Sequence, residues 1–414
     1  MRPDWDSIKE IGDSLGRNRS RSILTGFGIF WGLFMLLFLS NGGDGLKCIL
    51  NKQFEGFATN TVIIWPGQTT KTWKGYRQGR YWNLDVKDIP RLKLMVPELE
   101  TVTPMIGVWA QQTTYGANNI SATVKGVYAD YSNVESPELK FGRFLNGTDC
   151  SAERKVCVIG KRVWTSLFPD GSDPCGKFIK VGPAYYRVIG VNVASGNFNI
   201  QGSNDQAIYV PLPIVQKIYN RGEGIDIIAA TGKEGVVMST LEGRLREVIS
   251  RRHIFDPTDK QALGIMNAEE IFMVMDNLMK GVTFLIWLVG IGTILSGAIG
   301  VSNIMMVTVK ERTTEIGIRR AIGATPMQIL SQIISESICL TLIAGSGGIV
   351  FSALLLNLLE KIVSKGEIGF IPFQMGFWTA VMTALMLSVL GAAAGLAPAL
   401  RAMKIKPVDA MRDE

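Results

Sequence analysis

The side chains that most often do chemistry are sparse in this sequence and poorly spaced for it. His253 is the only histidine in 414 residues, which removes imidazole-based zinc sites and nucleophile–base pairs that use histidine as the base. It reads as an exposed linker residue. No G-x-x-x-x-G-K-[ST] occurs, so no loop of that kind cradles a nucleotide phosphate. Carboxylates are scattered without metal-ligand spacing or a catalytic pair. The expectation is a chain that is not an enzyme and holds no metal or cofactor. One polar stretch is organised differently. Val309–Ala324, VKERTTEIGIRRAIGA, packs four cations and two carboxylates into sixteen residues, a density of charge that suits a solvated loop or a docking surface.

The elements around that stretch say where it must lie. It separates two apolar runs, 281–308 and 333–359, each long enough to cross a hydrocarbon core of about 30 Å at 1.5 Å per helical residue. Lys or Arg at the centre of a span costs about 2.5–3.5 kcal/mol, so the link lies outside the bilayer. Lys310, Arg312, Arg319 and Arg320 outnumber Glu311 and Glu315, which places it in the cytoplasm. Ile316, Arg319, Arg320 and Gly323 recur at helical spacing and predict a short surface helix. A solvated positive loop and a docking surface both remain open at this point. Runs at 22–40 and 373–397 complete four spans with both termini inside. Residues 1–21 predict a cytoplasmic amphipathic helix with Trp5, Ile8, Gly12 and Leu15 on one face, 309–332 a cytoplasmic segment, and 398–414 a basic tail.

Between the first two spans, residues 41–280 form stalks and one large insert. Leu46, Ile49, Leu50, Phe54 and Phe57 share a side, as do Ile271, Phe272, Met275 and Leu278. The glycines of Asn41–Gly45 read either as a hinge or as a break at the interface. The insert has no long apolar run and reads as mixed α/β. Strands are expected at Thr61–Trp65 and Ala207–Leu212, Ile120–Lys125 alternates with period two, and helices carry Ile89, Leu92 and Met95 from Asp85, then Val237, Leu241, Leu245 and Val248. Glu336 is the single ionisable residue inside a span and reads as snorkelling to the interface, so no polar substrate path is indicated. Ser296 with Gly300, and Gly391 with Gly395, allow close helix approach within one subunit or across a dimer. The net charge of +7 is accounted for by cations beside the spans facing anionic headgroups. No aromatic-interleaved basic stripe of the kind a strand-binding groove needs is evident, so nucleic acid is not an expected partner.

KERTTEIGIRRAIGA resembles the signature that follows the second span of MacB-like and FtsX-like permease subunits of ABC transporters, ERTREIGIRRAIGA. NRSRSILTGFGIFWG is similar to that family's first span, VKGVYADYSNVESPELKFGRFL to its extracytoplasmic core, and PALRAMKIKPVDAMR to its C-terminal end. The resemblance implies a bacterial inner-membrane protein with four transmembrane α-helices and a large α/β periplasmic domain of two lobes between helices 1 and 2. One lobe comes from the ends of the insert and the other from its middle, near Thr103–Leu212. It implies a permease subunit of an exporter, dimeric with a second copy or homologue, that transmits the motion of an ABC-type ATPase to the periplasmic domain, the ATP being bound by that partner. A periplasmic adaptor and an outer-membrane channel are further implied partners. Glu311, Glu315, Ile316, Gly317, Arg319, Arg320 and Gly323 fall on the ATPase-coupling element. An FtsX-like signalling subunit that activates a cell-wall hydrolase, and a lipoprotein-releasing permease, share the same plan. Where the family reads DPIG this chain reads DPCG, and Cys175 there, with Cys150 just before a strand, suggests a Cys150–Cys175 disulfide. Cys157 in VCVIG reads as a buried thiol.

Overall fold

The computed structural model describes residues 19–54, 56–194, 198–363 and 376–404. The expected N-terminal amphipathic helix, the start of the fourth run and the last ten residues lie outside them. The chain divides into two units, Leu50–Asn277 and a second one drawn from the two ends of the chain. Its helices are α1 (Arg19–Gln53), α2 (Asp88–Met95), α3 (Gly147–Ser151), α4 (Lys161–Leu167), α5 (Leu212–Ile218), α6 (Glu242–His253), α7 (Ala268–Glu311), α8 (Thr313–Ala321), α9 (Pro326–Val363) and α10 (Phe377–Met403). Its strands are β1 (Thr61–Pro66), β2 (Leu84–Asp85), β3 (Leu99–Tyr115), β4 (Asn118–Val127), β5 (Leu139–Gly142), β6 (Val156–Gly160), β7 (Phe178–Val181), β8 (Ala184–Asn192), β9 (Ala207–Pro211), β10 (Gly224–Ile225), β11 (Ile227–Gly232) and β12 (Leu263–Asn267).

In the insert, ten strands form one mixed sheet in the order β12-β1-β11-β3-β4-β9-β6-β8-β5, with β7 pairing both β3 and β8. The pairs β4–β9 and β6–β8 are parallel. β12, β1 and β11 come from the ends of the insert and the strands beyond β3 from its middle, so the division into ends and middle holds while both halves share a sheet. β3 joins them. Its first part pairs with β11 and its second with β4, the register slips between Val108 and Gln111, and Ala110 there adopts φ 53°. One continuous core, including Val62, Ile106, Val124, Val188, Ile208 and Leu245, runs beneath the sheet, and each such side chain stabilises the fold by about 1.5–3 kcal/mol. The alternation in β7 and β8 is regular: Ile179, Val181, Tyr186 and Val188 point inward, and Phe178, Lys180, Tyr185 and Arg187 outward. The helix expected from Asp85 begins at Asp88, because Asp85 is taken up by the β2–β10 pair.

Among the described residues, four helices are long and apolar enough to cross a membrane: Gly26–Lys52, Ala268–Glu311, Pro326–Ile362 and Val381–Met403. α1 runs unbroken through Asn41–Gly45, which is therefore neither hinge nor break here, and Asn41 Nδ2 donates to Leu37 O at 2.7 Å. The Gly391/Gly395 pair faces α9. A Cβ on Gly391 would lie 2.2 Å from Thr341 Oγ1 and one on Gly395 2.9 Å from Ser337 Cβ, and Ser337 Oγ donates to Gly391 O at 2.8 Å. This motif therefore serves packing within the chain. A Cβ on Gly300 would meet nothing within 4 Å.

Candidate functional site

The charged stretch folds as a short helix, α8, held tightly to the span ends. Glu315 stands in its first turn and Arg319 and Arg320 in its last, the arrangement that a helix dipole favours. Its C-terminus closes on Gly323, which sits at φ 111° where a Cβ is strained. Ala324 N donates to Arg319 O at 3.0 Å and Gly323 N to Arg320 O at 3.2 Å, the bond pair of a Schellman cap. The next helix starts at once: Gln328 N donates to Thr325 Oγ1 at 3.4 Å and Thr325 N to Gln328 Oε1 at 2.8 Å, a capping box. These two devices turn the chain from α8 into α9 within four residues.

Three polar links tie this element down. Arg312 Nη1 donates to Glu336 Oε1 at 3.2 Å, Arg319 Nη1 to Gln332 Oε1 at 2.9 Å, and Arg320 Nη1 to Met403 O at 3.0 Å. The first two partners are on α9 and the third ends α10. Glu336 therefore does not snorkel; it is 7% exposed and clamped by Arg312. Below these links lies a cavity of about 30 Å³ lined by Met305, Arg312, Ile316, Gln332 and Glu336 among others. Ile316 joins a buried cluster with Val309, Ile329, Ile333, Ala399 and Ala402.

The residues expected to couple to an ATPase thus divide. Ile316 and Gly317 are buried against the bundle, Arg319 and Arg320 are committed to α9 and α10, and Gly323 caps the helix. Glu311 and Glu315 are exposed, with Glu315 bound to Arg319 at 2.9 Å. Sequence reasoning missed the outward face. Ile318 is 46% exposed, Ile322 83% and Met327 70%. The signal was present: Ile318 lies two residues from Ile316, about 200° around a helix, so both cannot face inward.

Elsewhere the structure corrects three expectations. His253 is no exposed linker residue. Its side chain is 13% exposed, its Nε2 lies 2.9 Å from Asp88 Oδ2, and its ring packs on Trp82 with centroids 4.6 Å apart. The Cys150–Cys175 bridge is not formed. Cys150 Sγ on α3 turns toward Val127 O at 3.9 Å, whereas Cys175 sits in the turn before β7 with its N–H on Asp173. Cys157 is buried in β6, as expected. Lys125, read as an outward residue of an alternating strand, is fully buried. Its Nζ donates to Asn204 Oδ1 at 2.6 Å and lies 3.8 Å from Glu135 Oε2, and burial holds its pKa below the usual lysine value against the pull of Glu135. Among the described residues no group of three or more His, Cys, Asp or Glu is placed to hold a metal ion.

Four membrane-length helices with one large α/β insert after the first, and a pinned charged helix between the second and third, define a multi-pass membrane permease. Residues 22–248 match the MacB-like periplasmic core domain and residues 287–407 the FtsX-like permease C-terminal domain. The chain belongs to this MacB-like, FtsX-like family of ABC-transporter permeases, and is a multi-pass inner-membrane protein with its insert in the periplasm. It is 29% identical over 399 residues to the macrolide export ATP-binding/permease protein MacB 1/2 of Paracoccus denitrificans, covering 96% of this chain and 57% of that one. To MacB of Escherichia coli strain K12 it is 28% identical over 405 residues, covering 97% and 59%. The chain thus spans under two thirds of the length of the curated relatives it matches. The crystal structure of the periplasmic region of MacB from Actinobacillus actinomycetemcomitans aligns with a TM-score of 0.43 at 24% identity, covering 54% of this chain and 96% of that one.

Proposed function

We propose that this chain transmits the motion of an ABC-type ATPase lying outside these 414 residues to its periplasmic insert, in an export or efflux system, and that α8 is the docking element. The observation that carries this reading is the two-sidedness of α8. Its inner side is fastened to α9 by Glu336 and Gln332 and to the end of α10 by the Met403 carbonyl, while Ile318 on α8, Ile322 at its C-terminus and Met327 in the first turn of α9 are exposed apolar side chains on a cytoplasmic segment. A coupling element needs both properties: a surface for the partner and firm attachment to what must move. ATP is bound and hydrolysed by the partner in this reading, and a second copy of the permease completes the transporter. The family names of the relatives, which join an ATP-binding part to a permease part, support the pairing.

The test substitutes the outward face. Ile322→Glu and Met327→Glu should leave membrane insertion intact, because Lys310, Arg312, Arg319 and Arg320 still set the orientation. Burying one isoleucine at an interface contributes about 1.5–3 kcal/mol, roughly tenfold to a hundredfold in affinity, so an ATPase that co-purifies with the native chain should be lost from either variant. Gly317→Trp is the poorer probe, since Gly317 is buried against the bundle. Retention of the ATPase at native stoichiometry by Ile322→Glu/Met327→Glu overturns the assignment. Co-purification of a cell-wall hydrolase or a lipoprotein chaperone in its place would select one of the alternative roles.

A further inference from the structure

Residues 67–82, GQTTKTWKGYRQGRYW, contain the aromatic-interleaved basic stripe that the sequence reading did not see. Lys71, Lys74, Arg77 and Arg80 alternate with Trp73, Tyr76, Tyr81 and Trp82, and no acidic residue occurs between Glu55 and Asp85. The segment is firmly built. Asp259, 2% exposed, accepts from Thr70 N at 2.6 Å, Thr70 Oγ1 at 2.8 Å and Lys71 N at 3.2 Å. Arg80 Nη2 donates to the His253 and Ile254 carbonyls at 2.5 and 2.7 Å, and its guanidinium lies 4.5 Å from the Tyr76 ring centroid. Trp82 packs on Phe255 and donates to Ala262 O at 2.9 Å. Trp73 and Tyr76 exchange backbone hydrogen bonds across a tip where Lys74 and Gly75 take φ 44° and 87°.

From this fixed base the loop offers cations and flat rings to solvent. Lys74 and Arg77 are exposed with no ion-pair partner among the described residues, Tyr76 is 45% exposed and Tyr81 78%. The register places it. β12 pairs antiparallel with β1, Pro66 opposite Leu263 and Val62 opposite Asn267, so the loop leaves the end of this strand pair about 17 Å from the end at which Phe57 and Ala268 lead away.

We propose that this loop binds an anionic glycan, a sugar polymer bearing carboxylates. Unpaired cations select a negative ligand, and their attraction is that of exposed charges in water. Not one aliphatic residue occurs from Gly67 to Asn83, so the loop offers a ligand only aromatic and polar contacts. What it has are the electron-rich faces of Tyr76 and Tyr81, on which the C–H faces of sugar rings stack, amides and hydroxyls of Gln68, Gln78 and Thr72 for sugar hydroxyls, and ammonium and guanidinium groups for carboxylates. A periplasmic insert fixed to such a polymer would hold its far end still while the other end is moved.

The experiment titrates the purified full chain in detergent with three polymers, following tryptophan fluorescence and biolayer interferometry. Polygalacturonate carries a carboxylate on every ring, poly-L-glutamate carries the charge without rings, and dextran the rings without charge. Polygalacturonate should bind most tightly and weaken as salt rises. Lys74→Ala/Arg77→Ala should weaken it about tenfold, the loss of two exposed charge contacts, and Tyr81→Ala about threefold to tenfold, the loss of one stacking face. Tyr81→Ala should leave binding of poly-L-glutamate unchanged. All three residues are exposed, and an unaltered thermal midpoint confirms that the variants fold. Polygalacturonate binding no tighter than dextran overturns the proposal. So does poly-L-glutamate binding as tightly as polygalacturonate with no effect of Tyr81→Ala, which would assign the loop to an acidic peptide.

Discussion

Replacing Glu135 by leucine tests how the insert keeps a charge in its core. The carboxylate is 7% exposed, accepts from Ile200 N at 3.2 Å and Tyr209 OH at 3.5 Å, and lies 3.8 Å from the fully buried Lys125 Nζ. At that separation and an effective dielectric near 20 the pair attracts by about 4 kcal/mol, and the bond from Ile200 adds about 1 kcal/mol. Lys125 limits the loss. Burial already lowers its pKa, and with the opposing pull of Glu135 gone the folded variant gives up the Lys125 proton more readily than the native chain. Glu135→Leu should therefore lose about 3–5 kcal/mol, the usual cost of breaking a buried pair, and lower the thermal midpoint by about 6–20 °C for a domain of this size. The assay is thermal unfolding of the purified chain in detergent, read by near-UV circular dichroism. A sign in pH follows. Because the folded variant holds the Lys125 proton less firmly than the unfolded chain does, the unfolded state binds more protons and stability rises with pH. Relative to the native chain the variant should recover stability as pH rises toward the ordinary lysine value of about 10.4. A variant that unfolds within about 2 °C of native and shows no recovery refutes the argument.

Two more outcomes follow from titratable groups in the insert. Burial raises the Asp88 carboxyl, but hydrogen bonds from His253 and the Asp85 backbone and the charge of Arg252 outweigh it, so its pKa lies below the usual aspartate value. A depressed folded pKa stabilises above the unfolded value of about 3.9 and loses that contribution as pH falls through the folded one. Unfolding midpoints should therefore drop more steeply below about pH 4 in the native chain than in Asp88→Asn, and parallel curves would argue against the assignment. Burial pushes the Cys157 thiol far above its ordinary value, and burial with a hydrogen bond to Asp173 lifts Cys175 to about 11. Both should alkylate more slowly than a model peptide thiol near neutral pH. Non-reducing peptide mapping should return no Cys150–Cys175 peptide; finding that peptide would show that the bridge forms after all.

The long apolar runs were legible because a span needs about 20 apolar residues, the strands at Thr61–Trp65 and Ala207–Leu212 because they are short apolar β-branched runs, and the charged stretch because charge cannot sit in hydrocarbon. What stayed hidden depended on partners distant in sequence. Lys125 looks like a solvent-facing strand residue until Asn204 and Glu135 are brought beneath it. His253 looks like an isolated polar residue until α2 supplies Asp88. Glu336 was read by depth alone, whereas Arg312, 24 residues earlier, decides its state. Which side of α8 is exposed was hidden for a related reason. The motif marks which residues belong to the element, but only the position of α9 and α10 says which side of α8 remains outside. The basic aromatic loop was missed because its spacing follows a hairpin tip, not a strand or helix period.

The uninterrupted course of β3 restricts what the insert can do. Two halves hinged on a flexible linker open and close like a jaw, but halves that share a strand and its ladder cannot part without breaking that ladder. The seam within the β3–β4 ladder is the slip at Trp109 and Ala110, where pairing is already lost and a bulged strand bends. If the insert is driven from Thr61 or Asn267, the shared sheet would carry that torque toward the β5 edge as rotation of one plate, with a small shear at that seam, not as the widening of a cleft.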